Sequence, residues 1–242
     1  MTDKREKDVK PDLERMVRIA IVDQLAHLGK YSLLTSVLVG VLIYAVFSGQ
    51  INPLSLNLWI LVLGVISVAR ILLILRFWRM DLVEQKLRYW IRNYLALSYL
   101  SAVCWGVLPL FDVFMVSEWG RTFIVFVVTG MSTGGVVTQF PLLHAAIPYI
   151  LITLMPLLIV MARGGDTSFI FMAMMTGLYI VMLVRTTYIL NRSMAQSIRL
   201  RIENKELFKF LNSFRDVEMS GKHKSDVGAL NQGFSMGTFK QQ

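Results

Sequence analysis

Charge is scarce in this chain. Only 17% of its 242 residues are Asp, Glu, Lys or Arg, while 55% are hydrophobic. A typical soluble domain carries about 25% charged residues, so the deficit points to lipid as the main solvent. Cysteine is scarcer still. The single Cys104 lies in an apolar run, which excludes an intrachain disulfide and a cysteine-based metal site. The three histidines, His27, His144 and His223, are scattered, and no two share a helical turn. No metal and no cofactor are therefore expected. Also missing are a phosphate-binding glycine loop, a serine nucleophile elbow, an HExxH motif and paired carboxylates within the apolar runs. No catalytic residue emerges, and the chain is read as a non-enzyme. It has no repeat and no low-complexity tract, and its first thirty residues are too charged and polar for a cleavable signal peptide.

The charge that is present is one-sided. Twenty-five Lys and Arg against 16 Asp and Glu give a formal charge of +9. In so apolar a chain this fits loops facing an anionic membrane surface better than nucleic acid. A bilayer core needs about 20 apolar residues per helix. Six stretches qualify, near 31–49, 54–76, 93–116, 121–139, 141–162 and 168–190. Strands are excluded because the runs are too long and continuous. The expected fold is an all-α polytopic membrane bundle of six transmembrane helices with N- and C-terminal cytoplasmic helices. Its parts are a cytoplasmic arm (1–30), the bundle (31–190), an exit helix (191–214) and a disordered tail (215–242), the last from its Gly, Ser and Gln content.

Lys and Arg concentrate in the N-terminal arm, in the connection after the second span (Arg76, Arg79, Lys86, Arg88, Arg92) and after the sixth (Arg192, Arg199, Arg201). The opposite loops hold only Arg121 and Arg163. Both termini should then be cytoplasmic, in a bacterial inner membrane. The outer loops are short, so an external signal must be small, lipid-soluble or a property of the bilayer. The connection at 139–141 is minimal, with Pro141 expected to open the fifth helix. Residues 11–29 read as an amphipathic helix on the inner surface or on the bundle. Residues 77–92 read as a second interfacial piece, with Trp78, Tyr89 and Trp90 at headgroup level.

Several residues are candidates for chemistry. His144 lies one turn before Pro148, a proline that frees a helical carbonyl. Its ring is read as a ligand contact or proton-sensitive switch, or as a plain interface histidine. Asp112, a carboxylate near the outer end of the third span, is a functional candidate or a solvated cap. Arg70 and Arg185 are expected to snorkel to the cytoplasmic headgroups. In GMSTGG, Gly130 and Gly134 form a small-xxx-small face joined by Gly135, suited to helix packing or to a ligand crevice. Trp105 with Gly106, and Phe140, Tyr149 and Met155, line such a crevice or fill the bundle.

The exit stretch SIRLRIENKELFKFLNSF places Leu200, Asn204, Leu207, Leu211 and Phe214 at spacings of 4, 3, 4 and 3. That is a heptad seam, in which one inward Asn can fix register and strand number. The same helix could instead lie on the membrane.

RYWIRNYLALSYLSAVCWGVLPL, then HAAIPYILITLMPLLI, then SIRLRIENKELFKFL together resemble the N-terminal multi-span sensor modules, MASE-like, of bacterial histidine kinases and diguanylate cyclases. The likeness is carried by Trp105-Gly106, by His144 followed by Pro148, and by Leu200, Arg201, Glu203, Asn204 and Leu207. It covers residues 30–214. It implies a dimer whose exit helix passes a change in the bundle to an output domain. No phospho-accepting box or cyclase motif follows Phe214, so the output domain is lost or the module binds a separate signalling protein. The expected function is thus a non-catalytic membrane sensor with the lipid bilayer and a homodimer or signalling partner. The alternatives are a small transporter or channel subunit, or an accessory subunit of a membrane complex.

Overall fold

The computed structural model describes residues 2–79, 84–111 and 117–236, with side chains placed for 19–30, 32–79, 88–111, 117–202 and five positions beyond. Among the described residues the chain is helical apart from short connections, with no strand. The helices are α1 (Thr2–Phe47), α2 (Pro53–Phe77), α3 (Glu84–Gly106), α4 (Glu118–Gln139), α5 (Leu143–Ala162) and α6 (Thr167–Met236), with a 3₁₀ turn at Leu108–Leu110 after α3. Each contains a stretch long and apolar enough to cross a membrane. The chain divides into two compact units, Met1–Ala195 and Gln196–Gln242.

Local sequence sets the helix ends. Asn52 accepts a hydrogen bond from the Leu54 amide at 3.0 Å and Pro53 follows at the first helical position, so α2 starts there. Ser117 caps α4 through the Gly120 amide at 3.1 Å. The turn before α2 needs a left-handed residue, supplied by Gly49 at φ 97°.

In the first unit, α3 packs on α2 and most extensively on α5, α4 packs on α5, and α1 packs on α2 and α4. The main core gathers Phe47, Trp59, Leu63, Trp105, Ile124 and Ile150, all buried, with their neighbours. Trp59 and Trp105 meet edge to face at 5.7 Å, and the Trp59 indole donates to the Cys104 carbonyl at 2.7 Å. A second cluster joins Val22, Leu25 and Ala26 of α1 to Phe77, Trp90 and Tyr94.

Four expectations change here. The N-terminal arm and first span are one helix, because no proline interrupts 12–52 and Gly29 packs closely on Ile74. Its 19–29 stretch belongs to the bundle. Trp90 is buried rather than at headgroup level; it stacks on Tyr94 at 5.3 Å and donates to the Leu73 carbonyl at 3.1 Å. Pro141 lies in the turn and α5 opens after Leu142. The tail expected to be disordered is helical to Met236, since no proline follows Pro156 and good helix formers such as Met, Lys, Ala and Leu outnumber its glycines.

Candidate functional site

α5 contains two prolines, Pro148 and Pro156. Each lacks an N–H, so the carbonyls four residues earlier, at His144 and Ile152, lose their helical partners. Both face α3. The Tyr99 hydroxyl donates to the His144 carbonyl. Gly106 lies so close to the Ile152 carbonyl that a Cβ built on it would stand 2.6 Å from that oxygen. The pairs 99–144 and 106–152 ascend together, so α3 and α5 run in the same direction. Two backbone defects of α5 thus fix its register on α3.

A polar stripe follows this seam. Tyr94, Ser98, Ser101 and Trp105 recur at helical spacing along one face of α3, and all are buried. Ser98 donates to the Gln139 amide oxygen of α4 at 2.6 Å. Tyr149 of α5 interacts with Ser101 and is buried. Its ring sits over Gly135 of α4, where a Cβ would come within 2.2 Å of the ring. Gly135 is therefore the cut-out that admits Tyr149.

Arg70 of α2 completes the cluster. It is only 3% exposed, and its guanidinium lies 5.7 Å from the centre of the Tyr94 ring. It also interacts electrostatically with Tyr149. Arg70 is seven residues from the end of α2 at Phe77, about 10 Å along the axis. The expectation that it snorkels is overturned: the stem points into the bundle because Tyr94 and Tyr149 give the charge a polar, aromatic lining. Arg185, by contrast, is exposed. Arg70 Nε and Nη2 lack a hydrogen bond of ordinary geometry, as do the Tyr94 hydroxyl, Trp105 Nε1 and Thr153 Oγ1. These are the buried side-chain polar atoms so placed among the described residues. Between residues 24 and 202 the acids are Asp81, Glu84, Asp112, Glu118 and Asp166, none within the apolar part of a span, and no described carboxylate pairs with Arg70.

Of the residues singled out from sequence, Trp105 and Tyr149 come together at this seam. His144 does not join them: its ring is exposed, and only its carbonyl is used. Asp112 lies outside the described residues. Gly130 and Gly134 are corrected as packing residues, since a Cβ at either meets nothing within 4 Å. Gly130 instead lines an apolar groove of about 560 Å³ between α4 and α6, beside Phe126, Met175 and Tyr179. There the Tyr179 hydroxyl donates to the Thr129 carbonyl at 2.9 Å and contacts the Thr133 hydroxyl. Met155 is exposed, so it is no part of the buried seam. Phe140 is half-buried, and its carbonyl, with that of Pro141, accepts from the Asn191 amide at 2.8 and 3.0 Å. Sequence reading passed over Ser98, Ser101, Tyr94 and Gln139. The i, i+4, i+7, i+11 spacing of the first two with Tyr94 and Trp105 was the available signal.

In the second unit, Leu200, Leu207, Phe208 and Leu211 are each more than half exposed, and Asn204 is exposed among them. The Phe214 side chain lies outside the described side chains. The chain matches no known protein family, no curated protein and no solved structure.

Proposed function

We propose that this chain is a non-catalytic sensor-type protein of the bacterial inner membrane, with both termini cytoplasmic. It detects a small or lipid-soluble signal, or a membrane state, and relays it through the exit helix to a second copy or a signalling partner. The observation that carries this reading is the exposed apolar ridge of Leu200, Leu207 and Leu211 around Asn204, on the part of α6 that follows the apolar run 168–190. Leucines left uncovered at heptad spacing call for a covering surface. No Gly or Pro lies between Gly177 and Gly221, so nothing in the sequence breaks the helix between the last span and that ridge. The resemblance to sensor modules of histidine kinases and diguanylate cyclases supports the same role.

The test is disulfide crosslinking in native membranes. Single cysteines, Leu200→Cys, Asn204→Cys, Leu207→Cys and Leu211→Cys, are placed in a Cys104→Ala background. Crosslinked dimers are expected from these four and not from Arg199→Cys or Lys205→Cys. A flat profile removes self-pairing and leaves a heterologous partner as the relay target.

A second reading, a small transporter or channel subunit, is favoured by Arg70, because a buried charge at membrane depth marks substrate pathways as well as sensing sites. Anion flux into vesicles reconstituted with the chain decides between the two.

A further inference from the structure

We propose that Arg70, with Tyr94, Ser101 and Tyr149, forms an intramembrane binding site for a small free anion, of the size of chloride, nitrate or formate. The proposal deepens the sensing reading by naming the class of signal.

Three observations carry it. First, the guanidinium is buried within the spans and no described carboxylate neutralises it. An ionised side chain at membrane depth is costly unless a counter-charge or polar partner meets it. Residual polar neighbours lower this penalty, but hydroxyls and ring faces carry no net negative charge. Second, Arg70 Nε, Arg70 Nη2 and the Tyr94 hydroxyl are buried without a hydrogen bond of ordinary geometry. All three can donate, and the two guanidinium nitrogens can only donate. Buried donors beside an unneutralised positive charge are the complement of an anion. Third, the placement sets the ligand's size. Arg70 is 3% exposed, and the neighbouring Tyr94 and Tyr149 are equally enclosed. A phospholipid headgroup is too large to enter without parting the helices, whereas an ion of one to four heavy atoms is not. The register of α3 on α5, fixed by Tyr99 at His144 and Gly106 at Ile152, holds the donors in place before the ligand arrives. Binding would draw α2, α3 and α5 together around one charge, a change a sensor can pass on.

The test uses the full chain in a neutral detergent. Gluconate, too bulky for the site, is exchanged for chloride, nitrate or formate at constant ionic strength, and the thermal unfolding midpoint is followed. A saturable rise of about 2 °C or more with at least one small anion is expected, because a ligand that binds only the folded state raises its stability. Arg70→Gln should abolish the dependence. If that variant fails to fold, Tyr94→Phe and Ser101→Ala, which keep the charge and remove a hydroxyl, should each raise the half-saturating concentration about fivefold or more. A flat response of the unmodified chain overturns the proposal, as does an unchanged response in Arg70→Gln or in both hydroxyl variants. A rise that saturates with added phosphatidylglycerol at low free anion, and not with the small anions, also overturns it and assigns the charge to a lipid. The crosslinking profile of the exit helix is independent of these outcomes, so a failed anion site and a failed relay give different results.

Discussion

The two neighbouring glycines of GMSTGG show how little residue type says without its surroundings. A Cβ on Gly134 meets open space, whereas one on Gly135 would sit 2.2 Å from the Tyr149 ring. Gly134→Ala should therefore leave stability unchanged or slightly higher, since Ala is the better helix former by up to about 1 kcal/mol. Gly135→Ala should lose about 1–3 kcal/mol, because a buried tyrosine has to leave its rotamer. Gly106→Ala should be at least as damaging, since the obstacle is the Ile152 carbonyl, which has no rotamer to change. Thermal unfolding of the three variants in detergent measures the order. At His144 the exposed ring predicts the opposite of its prominence in the sequence: His144→Ala should alter stability by no more than about 0.5 kcal/mol.

Between elements, the main specific devices are hydrogen bonds to carbonyls that helices leave free. Pro148 deprives the His144 carbonyl of its helical donor and Tyr99 replaces it. Tyr99→Phe should thus cost about 1–2 kcal/mol by leaving that oxygen unpaired. In Pro148→Ala, which restores a backbone N–H, the same change should cost much less. A double-mutant cycle of thermal or denaturant stability reads the coupling, which should be about 1 kcal/mol in favour of the native pair. α6 is tied to the bundle at two heights, by Tyr179 to the mid-helix carbonyl of Thr129 and by Asn191 to the free carbonyls of Phe140 and Pro141. Hydrogen bonds between membrane helices contribute about 0.6 kcal/mol on average and up to about 1.7. Asn191→Leu should sit at the upper end, because it releases two carbonyls of a tight turn at once. Faster proteolysis or hydrogen exchange confined to the α4–α5 turn and the adjoining part of α6 would register the loss.

For the molecule as a whole, the asymmetry of Lys and Arg predicts its direction in the bilayer. Reporter fusions after Gln242 and within the α5–α6 connection at Gly164 should report opposite compartments. The same compartment for both removes the six-span arrangement. Six helices of membrane-spanning length and composition agree with the six apolar runs.

Hydrophobic length, helix caps and the placement of basic loops are local properties, so the sequence by itself determined the number of spans, their approximate ends and the all-helical class. Which face of each helix turns inward depends on the neighbours. A run that is apolar all round has little moment to read, and α2 gives no hint that Arg70 points inward while Arg76 stays exposed. The distinction between Gly134 and Gly135, the use of the His144 carbonyl rather than its ring, and the convergence of Arg70 with Tyr94 and Tyr149 were decided only by tertiary structure. Each depends on the distance between residues 14 to 79 positions apart, set by how α2, α3, α4 and α5 pack, and no periodicity along one helix encodes that distance.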